Sequence, residues 1–212
     1  MPKRTPVHLK TNPVNLEKKS WVEAKTLFVL GVDPGWSSVG VAILGKTGSN
    51  KPICHRAGVL RTKKADKKAL RALRVSADDS RRVKEIHNGL CDIVDQFNPQ
   101  ALAFEVYSPY GKQGGSAWKA SRVEGGIQFF GLERGMLVLP FLPQDVKRAF
   151  CGKLNASKDD VIKAMTLKVE NLEAMLKQWP KTQREHVADA AAHAYLAFEE
   201  MFRLRAMMGI QL

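Results

Sequence analysis

Two apolar runs separated by a hard break constrain this chain more than any other feature. Leu27-Phe28-Val29-Leu30-Gly31-Val32 is short, apolar and rich in strand formers, which predicts a buried strand. Asp33-Pro34-Gly35 breaks it. Val39-Gly40-Val41-Ala42-Ile43-Leu44 predicts a second strand, and Gly45 to Lys51 a turn. Val59-Leu60-Arg61-Thr62 closes a third, so the chain opens on an antiparallel meander.

The pattern then changes period. From about Ala69 to Phe97 the apolar residues Leu70, Leu73, Val83, Ile86, Leu90, Ile93, Val94 and Phe97 recur at helical spacing. Their apolar side is either core or a subunit interface. Asn98-Pro99 ends that helix, and Ala101-Leu102-Ala103-Phe104-Glu105 reads as another buried strand. Tyr107 to Gly115 is glycine-rich loop, followed by a helix from Ser116 to about Arg134 and a strand at Met136–Pro140. A short helix near Pro143 ends at Gly152, and Ser157 can cap a helix running to Trp179. Pro180 separates it from a last helix, for which Thr182-Gln183-Arg184-Glu185 fits a capping box. Three strands, helix, strand, helix, strand, helices make an α/β fold with a mixed sheet flanked by helices.

Charge adds a partner class. The 212 residues carry a net +13, and it is localised. Residues 1–26 hold six Lys/Arg against two Glu, a net +4, with three prolines and little periodicity; they read as a flexible basic arm. Residues 56–84 hold eleven Lys/Arg against three Asp, a net +8. Such concentration points to a polyanion, nucleic acid first, although a long solvated helix would look similar. No run approaches the roughly 20 apolar residues of a membrane helix, so no membrane partner is expected. The N-terminus lacks the apolar block of a signal peptide. Cys54, Cys91 and Cys151 are too scattered for a metal pair or a disulfide framework, and a reducing cytoplasm is the expected setting.

The acids are few and well placed. Asp33 and Glu105 each end a strand, where open α/β sheets gather their sites, and Asp189 lies on the last helix. Three carboxylates from distant segments suit hard divalent cations such as magnesium, which take oxygen ligands and complete their shell from substrate phosphate. Two such ions about 4 Å apart support phosphodiester cleavage. Asp33 alone also reads as a turn residue before Pro-Gly, and Asp189 alone is unremarkable, whereas an acid such as Glu105 at the end of a buried strand needs a reason. On the last helix His186, Asp189 and His193 share one face, which faces either solvent or a site. Val187, Ala191, Ala194 and Phe198 form the apolar stripe, and Ala188, Ala190 and Ala192 keep the helix thin enough to approach a sheet closely. A two-histidine zinc site is disfavoured by the carboxylate company.

Four stretches in order resemble the RuvC family of Holliday-junction resolvases, within the RNase H-like superfamily. They are Gly31-Val32-Asp33-Pro34-Gly35 with Gly40; Ala103-Phe104-Glu105; Ser116-Ala117-Trp118-Lys119 with Arg122 and Gly125; and Val146-Lys147 through Gly152, then Lys158, closed by His186-Val187-Ala188-Asp189-Ala190. The resemblance covers about residues 27–200. It implies an RNase H-like fold over 27–212 and a homodimer that nicks opposed strands of four-way or branched DNA. The expected products are 3′-hydroxyl and 5′-phosphate ends. It implies two Mg2+ per active site, with Mn2+ as a substitute. Asp33 would bridge both ions, Glu105 and Asp189 would hold one each, and His186 would assist at the phosphate as catalytic residue and ligand. An aromatic wedge for the junction centre falls on Tyr107 or Tyr110.

Phosphate contacts are expected from Lys63, Lys64, Lys67, Lys68, Arg71, Arg74, Arg81, Arg82 and Lys112, and foremost from Lys119, Arg122 and Lys158, which lie in matching stretches. The extra arm, the strongly basic run after Thr62 and the longer glycine-rich loop depart from the family pattern and fit a phage-type or mobile-element member. The alternatives are an RNase H-like nuclease acting on flaps, forks or RNA–DNA hybrids, and a non-catalytic DNA-binding scaffold. A sugar-kinase or actin-like ATPase is disfavoured, because residues 100–212 show neither a second phosphate-binding glycine motif nor a duplicated domain.

Overall fold

A computed structural model describes residues 8–11, 26–47, 50–66, 75–106 and 117–207. The strands are β1 (His8–Thr11), β2 (Leu27–Asp33), β3 (Ser38–Lys46), β4 (Ile53–Arg61), β5 (Ala101–Glu105) and β6 (Leu137–Phe141). The helices are α1 (Val75–Phe97), α2 (Ala117–Glu133), α3 (Pro143–Cys151), α4 (Lys158–Lys168), α5 (Leu172–Lys177) and α6 (Lys181–Met207). One six-stranded sheet runs in the order β1-β4-β3-β2-β5-β6. β2, β3 and β4 form the antiparallel meander, while β5 pairs parallel with β2 and β6 parallel with β5.

Strand alternation sorts side chains between two cores. On β2, Leu30 and Val32 join Ile43, Phe104, Leu90, Ile93, Ile127 and Phe130 beneath α1 and α2. Val29 joins Leu44, Ala103, Ala191 and Phe198 beneath α6 and its neighbours. Leu90 and Ile93, left open above as core or interface, are fully buried core. The odd-numbered residues of β2 and β5 therefore face α6, and Asp33 and Glu105 continue both series.

Helix α6 sits unusually close to the sheet. A Cβ added to Gly31 would lie 1.9 Å from the Ala190 carbonyl oxygen, and one on Gly40 would lie 2.0 Å from that of His186. Glycine is required on β2 and β3 because helix backbone lies directly above them.

Three expectations are corrected. The arm at 1–26 is not wholly flexible: His8–Thr11 pairs antiparallel with β4 from His8↔Val59 to Thr11↔Arg56, because the meander leaves the β4 edge open to a strand. The single helix from Ser157 to Trp179 is two. Its break carries Asn171 at φ 55°, whose side chain accepts from the Cys54 amide (3.1 Å) and donates to the Cys54 carbonyl (3.0 Å), docking the break on β4. Helix α6 starts one residue before Thr182: the Pro180 carbonyl accepts from Gln183 and Arg184, so Thr182 is inside the helix rather than capping it. By contrast Ser157 caps α4 as expected, accepting from the Asp160 amide.

Candidate active site

Strand ends and one helix face build the site. Asp33 ends β2 opposite Gly40, over which the backbone of His186 passes. That passage brings the His186 ring to Asp33: Nδ1 donates to Oδ2 at 2.6 Å. Glu105 ends β5, one step beyond the Val32↔Phe104 register pair. Asp189 lies one turn along α6 from His186, and His193 one turn further. The shared helix face thus points into the site rather than to solvent. Ser157 places Lys158 at the start of α4, where Nζ donates to Glu185 at 2.8 Å and stands 3.8 Å from Asp189.

Confinement shows in the proton affinities. Burial, then the charges of Asp33 and Asp189, push Glu105 up to about 7. Burial, then Asp33, push Asp189 up to about 6, with Lys158 and His186 opposing. The hydrogen bond to Asp33 raises His186, favouring its imidazolium. His193 is fully buried and burial drives it down to about 4, so its ring is neutral. Its Nε2 stands 3.8 Å from Glu105, too far for a hydrogen bond, and the ring stacks near Phe141.

This donor set fits a hard divalent cation. The charges that push Glu105 and Asp189 up are relieved by added positive charge, and the three carboxylates offer the oxygen ligands such an ion takes. Among the described residues no three acidic, histidine or cysteine side chains converge closely enough to cage one, and Asp33 is engaged by His186.

The remaining candidates divide. Lys63 and Lys64 are exposed just beyond β4. Lys119 and Arg122 stand on the first turns of α2 beside Trp36 and Trp118. Lys158 leans toward the acidic cluster while its side chain stays 61% exposed. Arg81 is engaged by Asp78 and Glu85. Arg82 is withdrawn from the phosphate set: it is buried, donating to the Thr62 hydroxyl, the Trp36 carbonyl and the Ser37 hydroxyl, which ties α1 to the turn after β2. Tyr107, Tyr110, Lys112, Lys67, Lys68, Arg71 and Arg74 lie outside the described residues. Trp36 was not anticipated near the site; the available signal was an aromatic directly after Asp33-Pro34-Gly35.

Comparison with known proteins decides the family. The family described as crossover junction endodeoxyribonuclease RuvC matches residues 29–196. The chain belongs to the RuvC family. Among RuvC relatives, that of Natranaerobius thermophilus is 27% identical over 179 residues, covering 84% of this chain and 98% of its own. That of Methylococcus capsulatus is 32% identical over 133 residues, covering 63% and 72%. The solved structure of T. thermophilus RuvC in complex with Holliday junction substrate matches with TM-score 0.60 and 25% identity, over 79% of this chain and 90% of that one. The fold is accordingly that of RuvC, an RNase H-like mixed sheet flanked by helices. No helix among the described residues is long and apolar enough to cross a membrane.

Proposed function

We propose that this RuvC-family chain is a structure-specific endodeoxyribonuclease that resolves Holliday junctions and related branched DNA, as a homodimer, by paired nicking that leaves 5′-phosphate and 3′-hydroxyl ends. The observation carrying this reading is the convergence of Asp33, Glu105, Asp189 and His186 at one sheet end in a chain of this family. Asp33, Glu105 and Asp189 hold two divalent ions, Mg2+ or Mn2+. Bound there, such ions activate water and stabilise the leaving oxygen. His186, held by Asp33, presents its other ring nitrogen toward the scissile phosphate. Lys158 keeps the cluster from full charge repulsion before ions arrive. The exposed Lys63 and Lys64, with Lys119 and Arg122, contact phosphates without reading sequence. The dimer surface we assign is the outward stripe of α2, where Phe129 is 71% and Leu132 59% exposed and Gly125 has open space above it.

The test is a substrate panel with purified protein and Mg2+: four-way junction, flap, fork, RNA–DNA hybrid and linear duplex. Selective, symmetric cleavage of the junction is expected, and Asp33→Asn should lower the rate more than about 100-fold. Equal cleavage of linear duplex and junction defeats the resolvase reading. Selective cleavage of flaps, forks or hybrids replaces it with that substrate. Undiminished cleavage by Asp33→Asn removes the assigned chemistry.

A further inference from the structure

Beside the acidic site lies an aromatic–cationic cluster whose two indoles the nuclease reading leaves unused. Trp36 follows Asp33 by three residues, so their Cα atoms are at most about 11 Å apart. Its ring stands 6.5 Å from that of Trp118, centroid to centroid. Lys119 Nζ lies 5.4 Å from the Trp36 ring and 5.5 Å from the Trp118 ring. Arg122 lies 5.4 Å from the Trp118 ring, and Arg82 4.7 Å from that of Trp36.

The two indoles are not equivalent. Trp36 is fixed: its carbonyl accepts from Arg82 and from Thr62, and Arg82 covers its ring. Trp118 is 47% exposed, on the first turn of a helix whose inward residues are Val123, Ile127 and Phe130. An indole left this open and rimmed by two cations is poorly explained by packing. Water solvates its face badly, and Lys119 and Arg122 gain only modestly from it at an exposed site. Arg122 meets Asp79 at 3.7 Å while remaining 43% exposed, so it keeps donors for another anion.

We propose that Trp118, backed by Trp36, is a stacking platform for one unpaired nucleobase of the branched DNA, with Lys119 and Arg122 taking the phosphates that flank it. This rests on the branched-DNA reading above and names a part of its binding surface. Aromatic faces with neighbouring cations hold unpaired bases because every base offers a π-face and every linkage a charge. A paired duplex end-stacks internally and offers no such base along its length. A second copy of the chain is the poorer occupant. Trp118 lies eleven residues, about 16 Å along the helix, from Phe129. An interface there would set Lys119 and Arg122 near their own copies. The platform is also distinct from the loop tyrosines Tyr107 and Tyr110.

The experiment measures binding of intact protein, in EDTA so that no cleavage proceeds, to a four-way junction and to linear duplex across a salt series. Trp118→Ala should weaken junction binding about tenfold or more. It should leave duplex binding and the salt slope unchanged, and Trp118→Phe should restore most of the loss. Lys119→Ala should weaken both DNAs and lower the slope by about one. Wild-type protein that fails to prefer the junction shows that the underlying reading has failed. With that preference present, unchanged junction affinity in Trp118→Ala overturns the platform, as does equal loss on both DNAs. Loss of the dimer in sedimentation also overturns it, reassigning Trp118 to a subunit contact. Thermal unfolding of each variant checks that the fold is intact.

Discussion

At the scale of single residues, the site is defined by acids that hold protons unusually well. Partial burial and the charge of Asp33 push Glu105 up to about 7 and Asp189 up to about 6. A carboxylate must lose its proton to ligate an ion, so metal binding competes with protons through this window. Apparent Mg2+ affinity, read by calorimetry, should therefore fall as pH drops through about 7, and more steeply below about 6. Affinity that stays flat down to pH 5.5 refutes the assigned ligands. The same shift has a stability consequence of opposite sign. A carboxyl whose folded pKa exceeds its unfolded value destabilises the fold when both states are ionised, and this penalty fades as pH falls from the folded pKa toward the unfolded one. These two carboxyls should thus add stability between about pH 7 and 4.5, partly offset by buried His193, which is driven down to about 4 and costs stability as pH falls. Glu105→Gln should raise stability at pH 7.5 by about 1–2 kcal/mol, allowing for solvent screening of a side chain that is one-third exposed. Urea unfolding with excess EDTA measures it, and a destabilised variant contradicts the proposed cost.

Those residues were legible because strand alternation is a sequence property. Asp33 and Glu105 could be placed at strand ends, and His186 and Asp189 on one helix face, without any tertiary information. The Trp36–Trp118 pair could not. It depends on where the start of α2 settles beside the turn after β2, and no local period encodes that. Arg82 was misread for a related reason. A basic run predicts a charged face, but which of its members turns inward depends on acceptors elsewhere, here Thr62, Ser37 and the Trp36 carbonyl.

At the scale of elements, the decisive contact is the seating of α6 on β2 and β3. Alanine in the helix and glycine in the strands both signalled a close approach, yet only the structure shows that the contact is backbone on backbone. A methyl group on Gly31 or Gly40 would meet a carbonyl oxygen of α6 near 2 Å, and backbone cannot rotate away as a side chain could. Gly31→Ala and Gly40→Ala should each lift the helix and destabilise the protein by about 3 kcal/mol or more. The displacement should also separate His186 from Asp33, so cleavage should fall even below the unfolding temperature. Gly126→Ala is the control: its Cβ would find only a Val83 methyl at 4.0 Å, and alanine favours the helix by about 1 kcal/mol. Thermal melts and cleavage rates of the three variants test this, and a stable, active Gly40→Ala protein would show that the helix does not bear on the sheet there. The break between α4 and α5 shows the complementary limit: helical spacing ran through it, and the tertiary bonds of Asn171 to β4 overrode local propensity.

At the scale of the whole molecule, charge and shape divide the labour. The net +13 is concentrated outside the acidic cluster, and within α1 part of it is already consumed: Asp78 and Glu85 hold Arg81, and Arg82 is buried. Long-range attraction to DNA therefore falls on exposed cations such as Lys63 and Lys64 rather than on α1 as a unit. Paired nicking needs a second active site, and the outward stripe of α2 is where we propose that a second copy docks. Its inward residues Val123, Ile127 and Phe130 are committed to the core, while Phe129 and Leu132 are left to solvent and Gly125 permits close helix contact. Charge on that stripe should block association at little cost to the fold, since Phe129 packs mainly against water in the isolated chain. Phe129→Glu should sediment as a monomer with an unchanged melting temperature. On a four-way junction it should lose simultaneous cleavage of opposed strands while still making single nicks, because each subunit keeps its own Asp33, Glu105, Asp189 and His186. A variant that still sediments as a dimer moves the interface elsewhere. A monomer that cuts both strands at once shows that pairing of the nicks does not need this contact.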